Sequence, residues 1–150
     1  DDHGESLQVL APLFNNYGGN TEFAGPVVTL KVFEDNTLVR EALEEAGAGR
    51  VLVVDGGGSL RCALVGDNIA ELARANGWAG VVVYGCIRDA AQMGQMPVGV
   101  KALNTNPRKS VKKGVGDRDI PVRFADALIE PGSYLYADAD GIVVAAEKLD

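Results

Sequence analysis

Asp67, Arg88 and Asp89 are the side chains of this chain best suited to chemistry. Asp67 follows Gly66 at the head of a helical pattern in which Ile69, Leu72 and Ala73 share one face. Arg88-Asp89 come just after a short apolar run, Val81-Val82-Val83-Tyr84, closed by Gly85. Two carboxylates attract a cation. A guanidinium and the free N–H groups of a helix N-terminus attract an anion. An anionic substrate that chelates a divalent metal satisfies both sets together.

These residues need elements to bring them together. Asn68 is expected to cap the helix, with Glu71 as its capping-box partner, and Gly77 to stop it. Residues 81–84 read as a buried strand ending at Gly85, and residues 51–54 as an earlier one. Strand, helix and strand make a β-α-β unit, whose helix runs back along both strands. The helix start and the second strand's end then share one sheet edge, where open α/β sheets bind ligands. Taken singly, Asp67 reads as a helix cap and Arg88-Asp89 as a surface ion pair. Their convergence on one edge is what marks a site.

The rest of the chain supplies the frame. Leu7, Leu10, Ala11 and Phe14 have helical spacing, bounded by Asn15-Asn16 and Gly18-Gly19. His3, the sole histidine, reads as a solvated tail residue, and one histidine excludes the His-rich zinc sites. Residues 23–33 read as a strand with Pro26 at an edge or bend. Asp35-Asn36 forms a turn or cap before a helix over 38–46, whose core face is Leu38, Val39, Ala42 and Leu43, with Gly47 and Gly49 ending it. Asp55-Gly56-Gly57-Gly58-Ser59 lacks the third glycine of a dinucleotide loop, since position 61 is Arg61, and reads as a tight turn. Residues 98–103, 120–124, 127–129, 133–137 and 142–146 read as strands. The loop 106–119, with Arg108, Lys109, Lys112 and Lys113, reads as a solvated charged segment. A β-α-β half followed by a β-rich half predicts one mixed α/β domain over 1–150.

Composition narrows the function classes. The chain has 150 residues, 47% apolar and 23% charged, enough for one core. A net charge of −7 argues against direct nucleic-acid binding, which needs a dominant basic face. Two cysteines, Cys62 and Cys86, make no disulfide framework and read as reduced core thiols. No apolar run has membrane-spanning length, and the expected compartment is cytoplasmic.

Asp67, twenty intervening residues, then Arg88-Asp89 resembles the D-x20-R-D signature of the class II pyruvate aldolases of the RraA-like family. That family includes 4-hydroxy-4-methyl-2-oxoglutarate aldolases and the RraA regulators of ribonuclease activity. The likeness extends over nearly the whole chain: Asn16-Tyr17-Gly18-Gly19, Val32-Phe33-Glu34-Asp35-Asn36, the segment from Val51 to Ser59, Asn106-Pro107-Arg108-Lys109-Ser110, and Tyr136-Ala137-Asp138-Ala139-Asp140-Gly141-Ile142.

The resemblance implies a β/β/α swivelling-type fold and a homotrimer. It also implies a lyase that cleaves 4-hydroxy-4-methyl-2-oxoglutarate and related 4-hydroxy-2-oxo acids to pyruvate by retro-aldol chemistry, with oxaloacetate decarboxylation as a second activity. In that scheme Asp89 binds Mg²⁺ or Mn²⁺. Arg88 holds the substrate oxygens and stabilises the enolate. Asp67 orients a water for proton transfer. The backbone N–H groups of Gly66, Asp67, Asn68 and Ile69 grip the substrate carboxylate. The family's other class is a protein-binding module that docks on a ribonuclease and inhibits it. The intact Arg88-Asp89 pair favours the enzyme. Where longer aldolase relatives take a further acidic residue from a neighbouring subunit, Glu147 and Asp150 are left open for that role. Some family members carry a methyltransferase label, but no S-adenosylmethionine loop is visible here, and that label is set aside.

Overall fold

A computed structural model describes residues 7–149, so the tail residue His3 and the C-terminal Asp150 lie outside the described residues. All five residues of β4 (Val51–Asp55) are buried. Leu52 and Val54 enter one core while Val51 and Val53 enter another, the period-two alternation of a strand covered on both faces. β6 (Gly80–Ile87) repeats this, with Val81 and Val83 on the first side and Val82 on the second. β3 (Phe23–Lys31), β4, β6 and β7 (Gly99–Thr105) run parallel in that spatial order.

The first core lies under α1 (Thr37–Leu43), α2 (Asp67–Ala75) and α3 (Ala90–Met93), which contribute Val39, Leu43, Ile69, Ala73 and Met93. The second core is closed by β9 (Val122–Phe124), β10 (Ala127–Ile129), β11 (Tyr134–Ala137) and β12 (Ile142–Ala145), through Phe124, Ile129, Leu135 and Val144. β3 joins the two parts. Its first half pairs antiparallel with β11, and its second half pairs parallel with β4. The sheet thereby turns over onto itself, giving β, β and α layers in one mixed α/β domain, as expected. β1 (Leu7–Val9) pairs with β12, β2 (Asn15–Asn16) with β7, β5 (Ala63–Val65) with β6, and β8 (Asp117–Arg118) with β3. No helix among the described residues is long and apolar enough to cross a membrane.

Three expectations need correction. The helical spacing of Leu7, Leu10, Ala11 and Phe14 belongs to no helix. The segment forms the edge strands β1 and β2, with Pro12 between them, and Leu10 reaches the second core from irregular chain. β6 does not end at Gly85 but continues to Ile87, with a shift in its pairing to β7 between Val83 and Cys86. Asn68 does not cap α2. Gly66 is the N-cap, no side chain caps it, and Glu71 pairs with Arg74 instead. Asn36 is the N-cap of α1, as expected, without a side-chain bond of its own; the preceding Asp35 takes the Thr37 N–H and hydroxyl.

The glycine turn behaves as expected. Gly56 and Gly58 N–H both donate to the Tyr84 carbonyl and Gly57 N–H donates to Asp55 Oδ1, so these donors are occupied in closing the turn. Cys62 and Cys86 are buried and unpaired, and burial pushes both thiols up from their ordinary range.

Candidate active site

β5 is the element that delivers the site. It lies beside the end of β6, with Ala63 opposite Cys86 and Val65 opposite Ile87. Arg88 N–H extends this pairing by donating to Val65 C=O at 2.9 Å. The chain then leaves β5 through Gly66 straight into α2, and leaves β6 through Arg88 and Asp89 into α3. The two exits are neighbours because the strands that feed them are paired.

Asp89 adopts a left-handed conformation, φ 61° and ψ 41°, uncommon for a residue with a side chain. Such conformations persist where surrounding structure enforces them, and they cluster at functional sites. Here the Asp89 carboxylate reaches back to α2, and Oδ2 accepts the Asp67 N–H at 3.1 Å. Arg88 Nε lies 4.0 Å from the same oxygen. A Cβ on Gly66 would stand 3.0 Å from Asp89 Oδ2 and 3.3 Å from Arg88 Nε, so the absence of a side chain there lets the pair close on the helix. Asp89 therefore sits at the positive end of the α2 dipole.

The structure brings Gly66, Asp67, Arg88 and Asp89 together. Asn68 and Ile69 belong to the same first turn, and their N–H groups have no hydrogen-bond partner among the described residues. The Ile69 side chain is buried in the first core and anchors that turn. One expectation changes: the Asp67 N–H is occupied by Asp89, leaving fewer donors for an anion. Two positioning elements, β5 and α3, were missed. The apolar triplet Ala63-Leu64-Val65 before Gly66 is the signal that marks β5; α3, at four residues, leaves no comparable trace.

Arg88 and Asp89 side chains are 36% and 33% exposed, and they line none of four cavities of 280 to 650 Å³ found elsewhere on the molecule. Among the described residues no three His, Cys, Asp or Glu side chains converge, which removes a zinc-type cage. The donor set fits a hard cation instead. Mg²⁺ is held by one or two carboxylates and keeps several waters or substrate oxygens. Asp89 Oδ1 makes no hydrogen bond among the described residues and is open to such an ion.

Fold and site define the class: a mixed α/β domain in which an Arg-Asp pair at a strand end closes on a helix N-terminus. Residues 2–144 match the RraA-like family, described as Aldolase/RraA, and the chain belongs to that family. A relative from Alkalilimnicola ehrlichii is 61% identical over 149 residues, 99% of this chain and 92% of its own, and carries the provisional name 4-hydroxy-4-methyl-2-oxoglutarate aldolase. Two solved structures share the fold. One is described as the S-adenosylmethionine: 2-dimethylmenaquinone methyltransferase of Geobacillus kaustophilus, with TM-score 0.98, 54% identity and coverage of 99% of this chain and 92% of that one. The other is the RNA-processing inhibitor RraA from Thermus thermophilis, with TM-score 0.97, 48% identity and coverage of 99% and 91%. Three different names accompany one fold, so the activity has to be argued from the site.

Proposed function

We propose that the protein is a divalent-metal-dependent lyase. It cleaves 4-hydroxy-4-methyl-2-oxoglutarate and related 4-hydroxy-2-oxo acids to pyruvate. The observation that carries this reading is the Asp89 carboxylate fixed on the α2 N-terminus with Arg88 beside it. The aldolase name borne by several relatives, including one from Dechloromonas aromatica at 58% identity, supports it.

Retro-aldol cleavage removes the proton of the C4 hydroxyl and breaks the C3–C4 bond. The electron pair moves onto the 2-oxo acid half as an enolate, which is then protonated to pyruvate. Asp89 would hold Mg²⁺ or Mn²⁺, which supplies Lewis-acid stabilisation of the developing negative charge. The Arg88 guanidinium binds the C2 oxygen and stabilises the same charge. The open Asn68 and Ile69 N–H groups take the C1 carboxylate at the helix N-terminus. The Asp67 carboxylate orients the water through which the proton travels. Oxaloacetate decarboxylation passes through the same enolate and is the expected second activity.

A second reading is a regulator that docks on a ribonuclease and inhibits it. The likeness to the Thermus RraA favours it. So do Phe33, Leu60, Val111 and Val115, large apolar side chains that are each half or more exposed. A coupled assay for pyruvate release separates the readings. Chelator should abolish release from 4-hydroxy-4-methyl-2-oxoglutarate, and Mg²⁺ or Mn²⁺ should restore it. Full turnover in chelator contradicts the metal-dependent mechanism, and no turnover under any condition leaves the regulator.

A further inference from the structure

Lys101 is the only buried lysine or arginine among the described residues, with 2% of its surface exposed. It stands on β7 opposite Val82 of β6, between Val100 and Ala102. Those two face the helix-covered core, so Lys101 points to the other side, toward the core shared with Leu10 and Ile142. Its Nζ donates one hydrogen bond, to the Asp138 carbonyl at 2.5 Å. An ammonium group has three N–H donors. No carboxylate lies within ion-pair distance of Nζ among the described residues. The Asp138 carboxylate is turned to its own loop, where Oδ1 accepts the Asp140 and Gly141 N–H groups. A buried cation without a counter-ion is costly, and such charges are normally paired.

Lys101 also lines a cavity of about 280 Å³, together with Leu10, Ala11, Phe14, Ile142 and the exposed Asp140. We propose that this cavity binds a small monocarboxylate, its carboxylate on Lys101 Nζ and its hydrocarbon body against Leu10, Phe14 and Ile142. The volume falls just short of drug-sized pockets and suits an acid of roughly four to six carbons. Burial lowers the Lys101 amine from its ordinary range, opposed by the nearby Asp138 charge, and a bound carboxylate relieves that penalty. The cavity is distinct from the Arg88-Asp89 site. Val82 and Ile87 are five residues apart along β6, about 16 Å at 3.3 Å per residue, and Arg88 follows Ile87.

Calorimetric titration with butyrate tests the proposal, with butylammonium as the charge-reversed control. Wild type and Arg88→Ala should both bind butyrate saturably and ignore butylammonium. Lys101→Met should bind butyrate at least tenfold more weakly while keeping its circular dichroism, because an apolar side chain of similar length suits the site. Absence of saturable binding, undiminished binding by Lys101→Met, or loss of binding only in Arg88→Ala overturns the proposal. A second readout needs no variant. Saturating butyrate should raise the titration midpoint of the Lys101 ε-carbon followed by NMR, and an unchanged midpoint contradicts the site.

Discussion

A side chain at Gly66 would be tightly met. A methyl group there meets the Asp89 carboxylate at 3.0 Å and the Arg88 guanidinium at 3.3 Å, so these two side chains have to give by a few tenths of an ångström. Gly66→Ala should therefore lower pyruvate release by about tenfold to a hundredfold, since small misplacements of reacting groups have effects of that size. Its effect on urea unfolding should be about 1 kcal/mol or less, the scale of an N-cap change. Wild-type turnover by the alanine variant would show that the contact does not matter. That Asp67 meets Arg88 and Asp89 was legible in the sequence, because a β-α-β unit sets a helix start beside a strand end. The left-handed Asp89 and its bond to Asp67 N–H were not. They depend on the pairing of β5 with β6, which joins residues twenty-two or more positions apart.

At the scale of elements, Asp35 fastens α1 to the basic loop. It is 2% exposed. Oδ1 accepts the Thr37 N–H and hydroxyl, and Oδ2 accepts the Lys113 and Val115 N–H groups. The loop 106–119, expected to be merely solvated, is thus pinned at one carboxylate. Burial alone would raise the Asp35 carboxyl, but these hydrogen bonds outweigh it and bring the pKa down from 3.8 to about 2. A folded pKa below the unfolded one means a stabilising contribution that is complete above 3.8 and fades as pH falls through about 2. Asp35→Asn orphans at least one buried N–H, so it should cost about 1–3 kcal/mol at neutral pH. Urea midpoints measured against pH should show the gap between variant and wild type narrowing in acid. A gap that stays constant down to pH 2 would contradict this account. β4 was readable as a short, continuous Val-rich run, because a strand covered on both faces carries apolar residues throughout. The N-terminal segment was misread because four apolar residues fell at helical spacing by coincidence, and Pro12 between them was the neglected signal.

For the whole molecule, the two-core architecture follows from strands that are apolar on both faces; the Val-rich runs marked those strands as buried, but only one core was expected. How the sheet turns over at β3 was not, because each half of that strand chooses a different partner far away in sequence. In the single chain Arg88 and Asp89 remain about a third exposed, whereas ligand sites normally enclose most of their ligand. We propose that neighbouring subunits of a homotrimer complete the enclosure. Light scattering at micromolar concentration should give three times the 15.7 kDa chain mass, and a monomer mass would count against it. The central claim is that Asp89, held on the α2 N-terminus, is the metal-binding catalytic carboxylate of a pyruvate-releasing lyase. The most direct measurement is the steady-state rate of pyruvate release by Asp89→Ala, with circular dichroism and oligomer mass taken on the same sample. The account predicts a folded protein of unchanged mass whose turnover has fallen about a hundredfold or more; near-normal turnover by that folded variant would contradict it.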